Sequence, residues 1–162
     1  MPNVGKSVVC IADMKLASHG EELITYALGS CIGICLYDPQ IKLAALVHIM
    51  LPLNMEAGRK NPMKYADTGI RETIKQMEAL GALRFRTIAK IAGGAKMFEV
   101  MGSGGFGNIG QRNIESVHMV LRAERIRLVA ENVGGSIART LSFHSATGEG
   151  LIRSYGKPDI IF

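Results

Sequence analysis

Two residues in this chain could make and break covalent bonds if they met. One is a cysteine behind a Gly-Ser step, Gly29-Ser30-Cys31; the other is a histidine inside an apolar run, Val47-His48-Ile49-Met50. Residues 31–38 (CIGICLYD) and 43–50 (LAALVHIM) both read as short strands rich in aliphatic and β-branched residues. Asp38-Pro39-Gln40-Ile41-Lys42 lies between them as a turn cluster, where proline's fixed φ suits the bend. A turn centred between Pro39 and Gln40 sets Cys31 directly opposite His48 in an antiparallel pair, with Cβ atoms about 4.5–5.5 Å apart. An imidazole so placed can take the thiol proton, and the thiolate is the form that attacks. Each residue alone has an ordinary reading. A cysteine in an apolar strand is usually a small buried hydrophobe, and a histidine there is usually a hydrogen-bonded core residue. The conjunction points to chemistry.

The elements around this hairpin must hold the pair in place. Residues 7–12 read as a strand, and residues 22–27 as another that leads into the Gly-Ser-Cys step. Residues 53–64 carry Pro, Gly, Asn and charges without periodicity and read as a loop. A helix over 67–80 puts Ile70, Ile74, Met77 and Leu80 on one face and stops at Gly81. Residues 86–92 form a short buried strand ending at Gly93-Gly94. A second helix over 110–122 presents Ile114, Val117, Met119 and Leu121, and strands follow over 127–131, 136–143 and 150–155, with Thr147-Gly148 in the last turn. Strands outnumber helices and do not alternate regularly with them, which favours an α+β layered domain over a doubly wound sheet.

At 162 residues the chain reads as one domain, residues 1–162. A chain of that size buries roughly 68–70% of its unfolded surface, enough for a core without disulfide staples. Cys10, Cys31 and Cys35 form an odd set with no disulfide framework, no apolar run is long enough to span a membrane, and residues 1–6 do not form a signal peptide. These features lead us to expect a cytoplasmic protein. The net charge of +5 favours acidic partners. Nucleic acid is not expected among them, because tryptophan is absent, aromatic residues are sparse and the basic residues are scattered among acidic ones.

Three motifs mislead. Pro2-Asn3-Val4-Gly5-Lys6-Ser7 resembles the end of a phosphate-binding loop but lacks the preceding strand and the following helix. Gly102-Ser103-Gly104-Gly105-Phe106-Gly107 has dinucleotide-loop spacing without a strand of core length before it. Cys31, Cys35 and His48 suggest zinc, but four residues along one strand separate the two sulfurs by roughly 13 Å, too far to share an ion. No cofactor and no metal is expected.

Thr25 lies six positions before the cysteine, in Thr25-Tyr26-Ala27-Leu28-Gly29-Ser30-Cys31. This stretch, followed by Tyr37-Asp38-Pro39 and His48-Ile49-Met50-Leu51-Pro52, resembles the CheD family of chemoreceptor glutamine deamidases. The likeness continues in Lys64-Tyr65-Ala66-Asp67, Lys90-Ile91-Ala92-Gly93-Gly94-Ala95, Ile109-Gly110-Gln111-Arg112-Asn113 and Val133-Gly134-Gly135-Ser136, so that it spans residues 8–152. Ala92 is a departure, since the family often has a larger residue there. The resemblance implies a three-layer α/β/β sandwich with mixed sheets, cysteine-hydrolase-like, and the catalytic set Cys31, His48 and Thr25. It also implies methyl-accepting chemoreceptors as substrates, a CheC-type phosphatase as partner, and a place at receptor arrays. Cys31 is expected to attack a glutamine side-chain amide with His48 as base and Thr25 orienting the ring, through its hydroxyl or its carbonyl. The backbone N–H groups of Ser30 and Cys31 are the expected oxyanion donors. A neighbouring imidazolium should make Cys31 an exposed thiolate, the most alkylable of the three thiols, with Cys10 and Cys35 slow. The alternative is a mainly non-catalytic docking partner of receptors and phosphatase.

Overall fold

The structure is a computed structural model that describes residues 5–53, 61–97 and 108–162. In chain order the elements are β1 (Lys6–Val8), β2 (Met14–Ala17), β3 (Glu22–Leu28), β4 (Ile32–Asp38), β5 (Leu43–Ile49), α1 (Ala66–Ala79), β6 (Ile88–Gly93), α2 (Ile109–Ala123), β7 (Arg127–Val133), β8 (Arg139–His144), β9 (Gly150–Arg153) and β10 (Ile160–Ile161). The first strand ends sooner than its apolar run suggested. β2 and β10 are additions that their short sequences did not announce. The two misleading glycine-containing motifs lie wholly or partly outside the described residues.

The strands β4 and β5 are buried at every position. Their side chains alternate between two faces and nearly all are apolar, so both faces must be covered. A five-stranded sheet in the order β2-β5-β4-β6-β7 places them inside it. The two helices cover one face of this sheet, and a second sheet, β1-β3-β8-β9-β10, covers the other. Each sheet is mixed: β1–β3 and β6–β7 are parallel, and the remaining pairs are antiparallel. The expected three-layer sandwich of helices over two mixed sheets is therefore the observed one.

Helical periodicity explains how the outer layer attaches. Ile70, Ile74 and Met77 of α1, with Ile114, Val117, Val120 and Leu121 of α2, meet Ile34, Leu36, Val47 and Ile49 of the central sheet. Burying one such side chain contributes about 1.5–3 kcal/mol. Met119 was expected on this face but is 62% exposed, and Val120 takes its place. Two residues turn a helix by roughly 200°, so Val117 and Met119 cannot share a narrow stripe. Leu80 is also largely exposed, sitting at the cap of α1 beside Gly81, whose φ of +102° ends the helix.

Between the sheets lie Leu23, Leu28, Cys35, Leu46, Ala92, Leu141 and Phe143. At the turn end of the β4–β5 hairpin, Asp38 is fully buried and accepts from Arg86 Nε and Nη2, the nearest at 2.8 Å, from Leu83 N–H at 3.0 Å and from Gln40 N–H at 3.0 Å. Burial alone would raise its pKa, but these donors outweigh it and hold the carboxyl below its ordinary value.

Candidate active site

The closing pair of the hairpin is Asp38–Leu43, and Gly33 rather than Cys31 stands opposite His48. The expected register is thus wrong by two positions. The loop is longer than a two-residue turn because the Asp38 carboxylate bonds Gln40 N–H and Lys42 takes a left-handed φ of 52°, leaving residues 39–42 outside the ladder. An even slip preserves the face of every side chain. Cys31 therefore stays on the side of the sheet that carries His48, at a diagonal rather than a facing position, where Cβ atoms stand within about 7–8 Å.

Thr25 arrives from the other sheet. Its hydroxyl lies 2.7 Å from the Val9 carbonyl oxygen and 2.7 Å from His48 Nδ1, and both side chains are fully buried. A hydroxyl has one proton, and a carbonyl can only accept. Thr25 therefore donates to Val9 and accepts from His48, which places the imidazole proton on Nδ1. The other nitrogen, Nε2, carries the free lone pair and is buried without a partner among the described residues. This sheet-to-sheet contact needs Gly33. A Cβ there would lie 2.9 Å from Leu141 Cδ2, 3.2 Å from Leu28 Cδ1 and 3.5 Å from Thr25 Cγ2. A glycine within a strand is the sequence signal for such a close approach, and it went unread.

Cys31 is half-buried on the step into β4. Beyond Thr25, β3 is irregular, with Ala27 at φ 57°, and the chain then turns through residues 29–31. Four contacts fix the turn: Gly94 N–H to Cys31 O at 2.9 Å, Ala95 N–H to Gly29 O at 2.8 Å, and Asn113 Nδ2 to Ser30 O at 2.9 Å and to Met50 O at 3.0 Å. Gly93, at φ +119°, must be glycine because a Cβ would overlap Cys31 O. The ladder makes the bond from Gly94 N–H to Cys31 O but not its return. Gly94 O instead packs against Gly110, where an added Cβ would meet it at 2.6 Å. Among the described residues, the backbone N–H groups of Ser30 and Cys31 donate to no other residue.

Burial pushes the Cys31 thiol above its ordinary value, partly opposed by its own backbone N–H, and lowers the His48 imidazole to about 4. The resting pair is a neutral thiol and a neutral imidazole. This corrects the expected thiolate beside an imidazolium: among the described residues, no charged group offsets the desolvation of either member. Cys35 is fully buried and its thiol is raised further, while Cys10 is exposed, against the expectation that both would be sheltered. His144 stands 3.7 Å from Glu22 at the far end of β8 and is not part of this site. Among the described residues, no three His, Cys, Asp or Glu side chains cluster in a way that could hold a metal ion, and no helix is long and apolar enough to cross a membrane.

A family model described as CheD chemotactic sensory transduction matches residues 50–154. The chain belongs to the CheD family. Relatives extend the match over the cysteine and histidine strands. A protein of Syntrophomonas wolfei named probable chemoreceptor glutamine deamidase CheD is 46% identical, with 91% of this chain and 92% of the relative aligned. One from Clostridium botulinum strain Alaska E43, with the same name, is 47% identical at the same coverage. The Thermotoga maritima chemoreceptor glutamine deamidase CheD is 39% identical over 93% of each chain. Among solved structures, the Neisseria meningitidis protein NMB0706 has a similar fold, with a TM-score of 0.55 at 12% identity, over 82% of this chain and 64% of that one.

In this CheD chain the fold thus brings Cys31, His48 and Thr25 to one end of the space between the sheets. The resemblance had left open which Thr25 atom meets the histidine; it is the hydroxyl. Asn113, which ties the cysteine turn to the end of β5, had no sequence signal beyond its place in a family motif.

Proposed function

We propose that this protein hydrolyses the side-chain amides of specific glutamines on chemoreceptors to glutamate and ammonia, with Cys31 as nucleophile and His48 as base. The observation that carries this reading is the Thr25–His48 hydrogen bond, which leaves Nε2 unprotonated on the face that carries Cys31. His48 Nε2 takes the thiol proton as Cys31 Sγ bonds to the amide carbon. The carbonyl oxygen becomes an oxyanion facing the N–H groups of Ser30 and Cys31. The imidazolium then protonates the departing nitrogen, the C–N bond breaks, and ammonia leaves behind a thioester. Water, deprotonated by His48, attacks that carbon; the Cys31 sulfur departs with the proton His48 took, and the side chain is left as a carboxylic acid, which ionises to glutamate by giving its proton to solvent.

A neutral resting pair makes this a general-base mechanism, in which the proton moves as the nucleophile attacks. The pair sits diagonally, so substrate docking and side-chain rotation must close the remaining gap. Such bonds often tighten only in the loaded enzyme. The relatives' names support chemoreceptors as substrates, and the net charge of +5 suits acidic ones. A CheC-type phosphatase as regulatory partner and a location at receptor arrays rest on the family resemblance.

The test is incubation of the full chain with a receptor cytoplasmic fragment, reading ammonia and peptide masses. Glutamate in place of glutamine in an intact backbone, lost in Cys31→Ala and slowed at high salt, is the expected result. Fragments that bind but stay amidated, with and without the phosphatase, would sink the catalytic reading and leave docking as the main activity. Cleaved backbones would indicate a protease.

A further inference from the structure

Asn113 is fully buried on α2 and donates both protons of one Nδ2 group to two strand ends, Ser30 O at 2.9 Å and Met50 O at 3.0 Å. Its Oδ1 is buried with no partner among the described residues. A polar acceptor left unsatisfied in the interior is costly, so this side chain is fixed by what its nitrogen does. Reversing the carboxamide would point an oxygen at two carbonyl oxygens, so a single orientation is allowed.

The Ser30 carbonyl and the Cys31 N–H belong to one peptide unit. That peptide is trans, as are all those among the described residues, and in a trans peptide the C=O and N–H point in opposite directions. Holding Ser30 O toward α2 therefore aims the Cys31 N–H away from α2, on the side of its own sulfur, and that N–H donates to no other described residue. Among the described residues no other bond holds this peptide: the next carbonyl, Cys31 O, is held by Gly94, and the return bond that would have tied down Cys31 N–H is not made. The second Asn113 bond reaches Met50, two residues beyond His48, so one side chain spans the nucleophile turn and the base strand.

We propose that Asn113 is the positioning residue of the oxyanion site: it locks the Ser30–Cys31 peptide with its N–H turned toward the substrate oxygen and sets that peptide's distance from the His48 strand. This rests on the deamidase reading above, and it concerns the tetrahedral intermediate alone. It therefore separates two reactions of the same sulfur. Amide hydrolysis builds negative charge on oxygen and needs the N–H. Alkylation by iodoacetamide displaces iodide at a saturated carbon and does not.

The experiment uses the full chain carrying Cys10→Ser, so that the exposed thiol is silent, with and without Asn113→Ala. Removing an oxyanion donor costs about 100- to 1,000-fold in kcat, and loosening one is expected to cost roughly 10- to 100-fold. KM should hold within about twofold, and Cys31 alkylation should keep its rate within about threefold and its pH profile unchanged. Ser116→Ala, which removes the neighbouring α2 bond to Pro52 O, is the control for general loosening and should leave kcat unchanged. A substrate-independent arm uses a glutamine-derived peptide aldehyde. Cys31 sulfur adds to its carbonyl carbon and the thiol proton passes through His48 to the oxygen, giving a hemithioacetal whose affinity should fall about tenfold or more in Asn113→Ala. Should wild type release no ammonia, the function reading fails and this arm still decides the clamp. Should Asn113→Ala not fold, Asn113→Ser is measured in the same way. Unchanged kcat and aldehyde affinity, or hydrolysis and alkylation falling together, would overturn the proposal.

Discussion

The β4–β5 hairpin buries polar groups at both ends and treats them in opposite ways. At the turn end, the Asp38 carboxylate receives the Arg86 guanidinium and two backbone N–H groups, and the charge is fully compensated. At the open end, among the described residues, His48 has Nδ1 paired and Nε2 unpaired, and Cys31 carries a thiol with no charged neighbour to ionise it. Both ends are desolvated, and only one is satisfied. A buried group with every valence filled fixes geometry; a buried group with a valence to spare is available to react. The contrast locates the chemistry more sharply than burial or charge alone.

Substitutions should separate the two ends. Cys31→Ala should remove deamidation entirely, and His48→Ala should cost on the order of 10³–10⁴ in rate, within the range of general-base catalysis. Circular dichroism should be unchanged in both, and activity near wild type in either would erase the distinction. The next effect is acidic. His48 has its pKa depressed from 6.5 to about 4. Its contribution to stability is present above 6.5 and is lost as pH falls toward 4, by about 3 kcal/mol in total. Urea midpoints measured from pH 7 to 4 should fall accordingly, and His48→Ala should flatten the curve. Deamidation itself should have its acid limb near 4 rather than near 6.5.

Arg86→Ala should act at the other end only. It strands a buried carboxylate and should cost on the order of 2–3 kcal/mol, at the low end for a broken buried pair because the arginine is itself partly exposed. The pKa of Asp38 is depressed, so the interaction is present above the unfolded carboxyl value and lost as pH falls through the folded one. The penalty in Arg86→Ala should shrink in that acid window, while kcat per folded molecule stays at the wild-type level. A smaller effect is due at Thr25. Thr25→Val removes the bond that orients the imidazole and should slow turnover roughly tenfold, the worth of one ordinary hydrogen bond. Thiol labelling sharpens the comparison last: Cys10 should react first, Cys31 more slowly and faster as pH rises, and Cys35 only on unfolding.

Much of the frame was legible in the sequence because local pattern determines it. The β4 and β5 runs are apolar on both faces, which demands a central position, and the helical stripes of α1 and α2 are fixed by 3.6-residue spacing. Strands of two to four residues, such as β2 and β10, carry too few side chains to show a period. The register differs because the Asp38 side chain bonds Gln40 N–H and Lys42 adopts a left-handed φ, lengthening the loop by features that strand patterning does not show. The site kept its faces because the slip was even. Thr25 and Asn113 were beyond spacing arguments altogether. They come from another sheet and from a helix, and only the family likeness singled out Thr25, while Gly33 was the one local sign that two sheets approach closely there.

A sulfur held protonated in a desolvated niche is also a poor reductant. Peroxide oxidises thiolates, so susceptibility follows the fraction ionised and the access it has. Cys31 is half-buried with its thiol raised above the ordinary value, and no charged group among the described residues draws the proton away. On the proposed mechanism, the same burial that keeps Cys31 a thiol until substrate arrives should also slow its conversion to sulfenic acid, so that Cys31 is expected to outlast the exposed Cys10 under peroxide.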